Sequence, residues 1–315
     1  MHKAVVLSLA SVVALSASIT SCGTNADKLQ VATGVVATGD AAAATQSYSK
    51  ARALESAGKT NKATKMYGKL ATNSPLSKEA PDARLREANL LYTNGELIKS
   101  FDKYQLFITT YRGTNHYESA IKRQATVVHS ASTGQIKNSF LGLKSEIPRT
   151  KVAKMFVQVR DNAPFGPTAP KAQFGLGQMW ETAENYTKAI AAYEDLQVRY
   201  PKSSLAPEAL FRVGSLLLKQ TEDGNRNIGN LDTAKTTFTD LTLLYPNTKQ
   251  TTAAKKMLKE IQGSDIQRSF NIAEFYEKKK QNASAAFYYK EVIRKTKSGS
   301  EMNKLAKQRV ATLTQ

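Results

Sequence analysis

The feature that most constrains this 315-residue chain is a repeat. From about residue 46 the same landmarks return every ~34–38 residues. Ala or Gly stands in one segment of helical period, a short turn follows, Ala stands in a second such segment, an aromatic comes four residues later, and proline often closes the unit. Strand-like alternation is absent, so each unit reads as a helix pair. A single pair of this length cannot bury its own apolar faces, whereas stacked pairs share a continuous core. The expected fold is all-α: a solenoid of about five to six helix pairs.

The fourth unit, KAQFGLGQMWETAENYTKAIAAYEDLQVRYP, shows the pattern most fully. Leu176-Gly177, Trp180, Tyr186, Ala189, Tyr193 and Pro201 stand at the positions of a tetratricopeptide (TPR) repeat. Gly177 and Ala189 are expected where two antiparallel helices cross closely, Tyr186 and Tyr193 between successive pairs, and Pro201 where the second helix must stop for want of a backbone donor. Other units match in part: Ala51, Gly58, Ala63, Tyr67 and Pro75; Ala88, Gly95, Phe101 and Tyr104; Gly214, Ala234, Phe238 and Pro246; Ala273, Tyr276, Ala285 and Tyr289. The third unit is irregular, with helices expected near 117–132 and 150–162 and a loop or short helix between them. TEDGNRNIG (221–229) splits the fifth. Helices near 250–262 and 300–314 complete the array, with QGSDIQRS (262–269) read as a linker.

The N-terminus has a separate logic. His2 and Lys3 precede an apolar, small-residue run from Ala4 to Ile19, then Thr20-Ser21-Cys22. This layout is a signal peptide, too short for a membrane span. Ile19-Thr20-Ser21-Cys22 resembles the lipobox of bacterial lipoproteins, which implies cleavage before Cys22 and transfer of a diacylglyceryl group, with acyl chains such as palmitate, to its thiol. Gly23, rather than Asp, fits sorting to the outer membrane. The expected divisions are a signal peptide (1–21), a lipidated flexible tether (22–45), an N-terminal TPR array (46–149) and a second TPR array with a capping helix (150–315). Cys22 is the only cysteine, so stability must come from packing rather than disulfides.

The second half resembles the BamD family, the TPR lipoprotein of the outer-membrane β-barrel assembly machine. NAPFGPTAPKAQFGLG (162–177), LLYPNTKQTTAAKKML (243–258) and RSFNIAEFYEKKKQNASAAFYYKEVI (268–293) carry the resemblance, and the two N-terminal repeats read as additional units stacked in front. The resemblance implies a non-enzymatic periplasmic scaffold, lipid-anchored at the outer membrane. Its implied partners are the periplasmic domains of the barrel insertase, with unfolded outer-membrane protein segments as a second ligand. The alternative is a generic periplasmic TPR adaptor for cell-envelope division or peptidoglycan machinery.

No catalytic or cofactor constellation stands out. His116 and His129 lie thirteen residues apart without a partner motif, no phosphate loop follows a strand, and no metal ligand set is spaced as one. Glu181/Glu184 and Glu274/Glu277 read as solvated helix faces. Binding remains. Repeat phase directs Tyr48, Arg52, Leu85, Arg86, Asn89, Phe174, Phe211, Arg212 and Phe270 to the concave face, where arginine can grip a carboxylate and aromatics can anchor a peptide. The other reading of the three phenylalanines is packing between repeats. The formal charge of +19 drops only to +18 without the signal, whose one charged residue is Lys3. Such a surplus favours acidic proteins or lipid headgroups; nucleic acid is not expected for an exported lipoprotein. Lys278, Lys279 and Lys280 are candidates for an acidic partner, or else complement the negative end of a helix dipole.

Overall fold

The computed structural model describes residues 38–134, 138–140, 143–221 and 228–314. The signal peptide, Cys22 and Gly23 lie outside the described residues. Helix α1 (Thr38–Ser56) pairs with α2 (Thr60–Asn73), α3 (Ala80–Thr93) with α4 (Leu97–Thr110), α5 (Tyr117–Thr133) with α6 (Arg149–Asn162), and α7 (Thr168–Thr182) with α8 (Tyr186–Arg199). Then α9 (Ala206–Gln220) pairs with α10 (Ile228–Leu244), α11 (Lys249–Lys278) with α12 (Asn282–Lys295), and α13 (Glu301–Leu313) caps the stack. Each helix packs on its neighbours in the chain, which is the arrangement of a TPR solenoid.

Local chemistry accounts for the punctuation. Ser74-Pro75, Tyr200-Pro201 and Tyr245-Pro246 close α2, α8 and α10, because proline disfavours helical backbone at the residue before it. Pro81 and Pro207 open α3 and α9, where the missing N–H is no loss. The turn from first to second helix of a pair contains one left-handed residue. Glycine fills it at Gly58 (φ 71°) and Gly95 (φ 78°), but Glu184 (φ 55°) and Lys280 (φ 57°) hold the same place in later pairs. Thr248 and Ser300 cap α11 and α13 through side-chain oxygens that accept from Thr251 and Asn303 N–H.

Four apolar clusters run along the stack and share bridging helices, so the core is continuous. Small residues set the helix crossings: Ala63, Ala88, Ala189, Ala234 and Ala285 are wholly buried. A β-carbon on Gly177 would lie 2.5 Å from Tyr193, and one on Gly214 2.6 Å from Phe238.

Three expectations are corrected. Residues 38–45, assigned to the tether, form the start of α1. The connection in the third unit is neither loop nor helix but a short antiparallel hairpin, β1 (Asn138–Phe140) and β2 (Leu143–Ser145), with Ser139 opposite Lys144. Apart from these two three-residue strands, the elements of the described residues are all helices, in keeping with the all-α expectation. Residues 262–269 are no linker: α11 runs unbroken through them for 30 residues. The segment has no proline, one internal glycine costs only about 1 kcal/mol, and its apolar positions are used. Ile261 belongs to the core above, Ile266 packs on the core below, and Lys235 of α10 bonds Asp265 at 2.5 Å.

Candidate functional site

The two helices of most pairs meet through an aromatic couple. Tyr48 lies 5.7 Å from Tyr67, Phe174 5.3 Å from Tyr193, and Phe270 5.3 Å from Tyr289, centroid to centroid. In each the partners are 19 residues apart. Phe211 and Phe238 make the same contact at 5.7 Å across the lengthened fifth unit. Phe174 and Phe270 are thereby buried, and Phe211 is half-buried. The packing reading of these phenylalanines holds, with one change: they pack inside their own pair rather than between pairs.

The second aromatic of the couple carries a polar extension. Tyr67 Oη donates to Glu55 at 2.7 Å, Tyr193 Oη to Glu181 at 2.7 Å, and Tyr289 Oη to Glu277 at 2.6 Å. Each glutamate also pairs with an arginine from the next first helix: Arg86 at 3.2 Å, Arg212 at 2.8 Å and Arg309 at 3.1 Å. Arg212 is held by Glu208 as well, at 2.9 Å. In the second pair Tyr92 stands at the glutamate position, and Asn89, one turn earlier, accepts from Tyr104 and from Arg123 at 2.8 Å. These Glu–Tyr–Arg triads tie one pair to the next.

The candidates therefore separate. Arg86, Arg212 and Asn89 are half-buried and engaged as inter-repeat ties, and Arg52 is exposed on α1. Glu181 and Glu277, expected on solvated faces, are half-buried acceptors instead. The sequence held a signal for this: a glutamate twelve residues before the core tyrosine and an arginine 31 or 32 after that glutamate, three times over. Among the described residues no His, Asp, Glu or Cys cluster could hold a metal ion. A shallow hollow of about 370 Å³ beside the second triad mixes Glu181 and Glu184 with Arg212 and Lys219.

The triads make a pH prediction. Burial first, and then the bond to glutamate, pushes the phenols of Tyr67, Tyr193 and Tyr289 above the usual tyrosine range. A raised folded-state pKa means that stability is intact below the unfolded value of about 10 and is lost as pH rises through the folded values. Replacing all three tyrosines with phenylalanine should flatten this alkaline loss, measured as the urea midpoint from about pH 8 to about pH 11. An identical alkaline limb in the variant would refute the assignment.

Lys278 ends α11, Lys279 caps it, and Lys280 takes the left-handed place; all three are exposed. They adjoin aromatics that nothing covers. Phe275 is 56% and Phe287 60% exposed. Tyr276 and Tyr288 stack at 5.7 Å with planes 9° apart, Phe275 and Phe287 each meet one of them edge-on, and Lys279 Nζ lies 5.8 Å from the Phe275 ring centroid.

The family model described as YfiO, outer membrane lipoprotein, matches residues 148–310, just over half of the chain. The chain belongs to this family. The aromatic and lysine cluster falls inside the matched segment, whereas α1–α5 precede it, as the BamD resemblance with additional N-terminal repeats implied. No curated protein matches the chain. Among solved structures it is similar to MamA from Desulfovibrio magneticus RS-1 (14% identity, 65% of this chain and 97% of that one, TM-score 0.33). It is also similar to a tetratricopeptide repeat protein from Parabacteroides merdae (12% identity, 86% and 100%, TM-score 0.33). YrrB, a TPR protein with an unusual peptide-binding site, overlaps at 13% identity over 67% and 90%, TM-score 0.33. The helix pairing described above, rather than these overlaps, defines the fold.

Proposed function

We propose that the chain is a non-enzymatic scaffold of outer-membrane β-barrel assembly, acylated at Cys22 and held at the periplasmic face of the outer membrane, whose C-terminal repeat binds the periplasmic domains of the barrel insertase. The observation that carries this reading is the exposed pair Phe275 and Phe287, set against the half-buried Tyr276–Tyr288 stack and next to the exposed Lys278–Lys280, inside the family segment. Aromatics that lose water on contact supply affinity, and the lysines draw in an acidic surface. The concave face is a weaker choice for gripping an unfolded outer-membrane protein segment, because Arg86 and Arg212 already have glutamate partners.

Replacing Lys278, Lys279 and Lys280 with glutamate should slow association with the insertase domains by about tenfold or more at low salt and leave dissociation little changed. The effect should fade as the Debye length shrinks from about 10 Å at 0.1 M to about 3 Å at 1 M salt. Glu184 already occupies the place equivalent to Lys280, so the turn tolerates the change. Loss of the helix-dipole term alone would cost only about 0.3–1 kcal/mol and leave the on-rate untouched. Stopped-flow rates and melting on the same variant separate the two. Copurification of cell-wall synthases, in place of a barrel with tandem periplasmic domains, would instead support the adaptor reading.

A further inference from the structure

In an alternating helix stack the connections from a second helix to the next first helix lie at one edge. Those from α2–α3 to α10–α11 do so here, whereas the α12–α13 connection lies beside the middle of the long α11, where Gln262 donates to Lys295 O. Bonds run along this edge from the α2–α3 connection to the α10–α11 connection, some between the turns themselves and some between the helices that end there. Tyr111 Oη donates to Pro75 O at 3.1 Å, Gln105 Nε2 to Asn162 at 3.0 Å, Arg160 Nη1 to Asp195 at 3.2 Å, and Tyr245 Oη to Pro201 O at 2.8 Å. This edge also carries most of the large apolar side chains that the fold leaves in water. Leu76 (60% exposed) and Phe165 (fully exposed) stand at turn tips, and Val198, Leu243 and Leu244 on the last turns of α8 and α10. Removing five such side chains from water would be strongly favourable, and none serves the core. The exposed cations Lys78, Arg112, Lys171, Lys202 and Lys249 stand at this edge together with the exposed carboxylates Glu118, Asp161, Glu194 and Asp240.

The chain also enters at this edge. Thr45 of α1 donates to Glu79, in the first of these turns, at 2.7 Å. Thr38 lies seven residues earlier, so α1 extends about 10 Å past the edge before the described residues begin. The fifteen residues from Gly23 to Ala37 span at most about 50 Å. An acyl anchor at Cys22 is thus joined to the edge that bears the uncovered apolar side chains.

We propose that this edge rests on an anionic phospholipid surface, with Leu76, Phe165, Val198, Leu243 and Leu244 entering the headgroup region and the cations answering the lipid phosphates. The tether argument rests on acylation at Cys22, whereas the contact needs no protein partner. The solenoid is then oriented on the membrane, with the aromatic and lysine cluster at the far end of α11, about 45 Å from Lys249 along a 30-residue helix.

The test uses the mature acylated chain in vesicles of phosphatidylethanolamine and phosphatidylglycerol. Acylation blocks Cys22, the only native thiol, so an environment-sensitive dye can be placed singly through Leu76→Cys, Phe165→Cys or Leu243→Cys, with Phe287→Cys as the distant control. These side chains are all exposed, so labelling leaves the core intact. The three edge dyes should emit at shorter wavelength on the anionic vesicles, and the Phe287→Cys dye should not. Arg112→Glu, Lys202→Glu and Lys249→Glu together should abolish the shift, since each cation near such a surface is worth roughly fivefold in partitioning (about 1 kcal/mol). Edge dyes that keep their emission in water while the chain is vesicle-bound would overturn the proposal, as would an equal shift at position 287. The vesicles hold no insertase, so neither result depends on the partner reading.

Discussion

Replacing Glu87 with alanine is expected to destabilise the N-terminal repeats by about 3–5 kcal/mol, the cost of leaving a buried charge without its partner. Glu87 on α3 is 6% exposed and Arg84 3%. The Arg84 guanidinium donates to Glu87 and, at 3.0 Å, to Thr72 of α2, while Lys103 of α4 lies 3.2 Å from the other carboxylate oxygen. The carboxylate therefore sits where three helices converge. Gly68 makes room for it, since a β-carbon there would lie 2.5 Å from Glu87 Oε1. Without Glu87, Arg84 stays buried with no counter-charge. Changing both, Arg84→Met with Glu87→Leu, should recover most of the loss, because an apolar pair needs no compensation. Urea unfolding followed by circular dichroism reads both variants. A single variant that unfolds at the parent midpoint would show that Arg84 escapes to solvent and that the pair is not structural.

The other large effect is expected at Gly177. A β-carbon there would stand 2.5–2.8 Å from three atoms of the Tyr193 ring. The ring cannot retreat: it is wholly buried, its hydroxyl is bonded to Glu181 and its neighbour is Phe174. Gly177→Leu must then push α7 and α8 apart, at a cost of at least about 1–3 kcal/mol. Gly113 is the control. It lies in the turn between α4 and α5, a β-carbon there meets nothing within 4 Å, and its alanine variant should fall within about 0.5 kcal/mol of the parent. Equal melting of the two variants would mean that the helix crossing is looser than the contacts describe.

What the sequence determined by itself is whatever recurs at short range. The helix pairs follow from apolar period, the turns from proline and left-handed glycine, and the close crossings from Gly177, Ala189 and their counterparts. The irregular third unit and the split fifth unit were legible for the same reason: each interrupts a local period. Tertiary structure decided the rest, because it depends on partners about 30 or more residues away. The fate of Glu181 turned on Arg212 of the next pair, and the continuity of α11 on Lys235 reaching Asp265. The arginines of the concave face look available in the sequence because a period places a residue on a face without saying what faces it. The uncovered edge was equally hidden. Leu76 and Phe165 stand in turns and Leu243 near a helix end, and that these places share one side is decided only by the stacking of alternating helices.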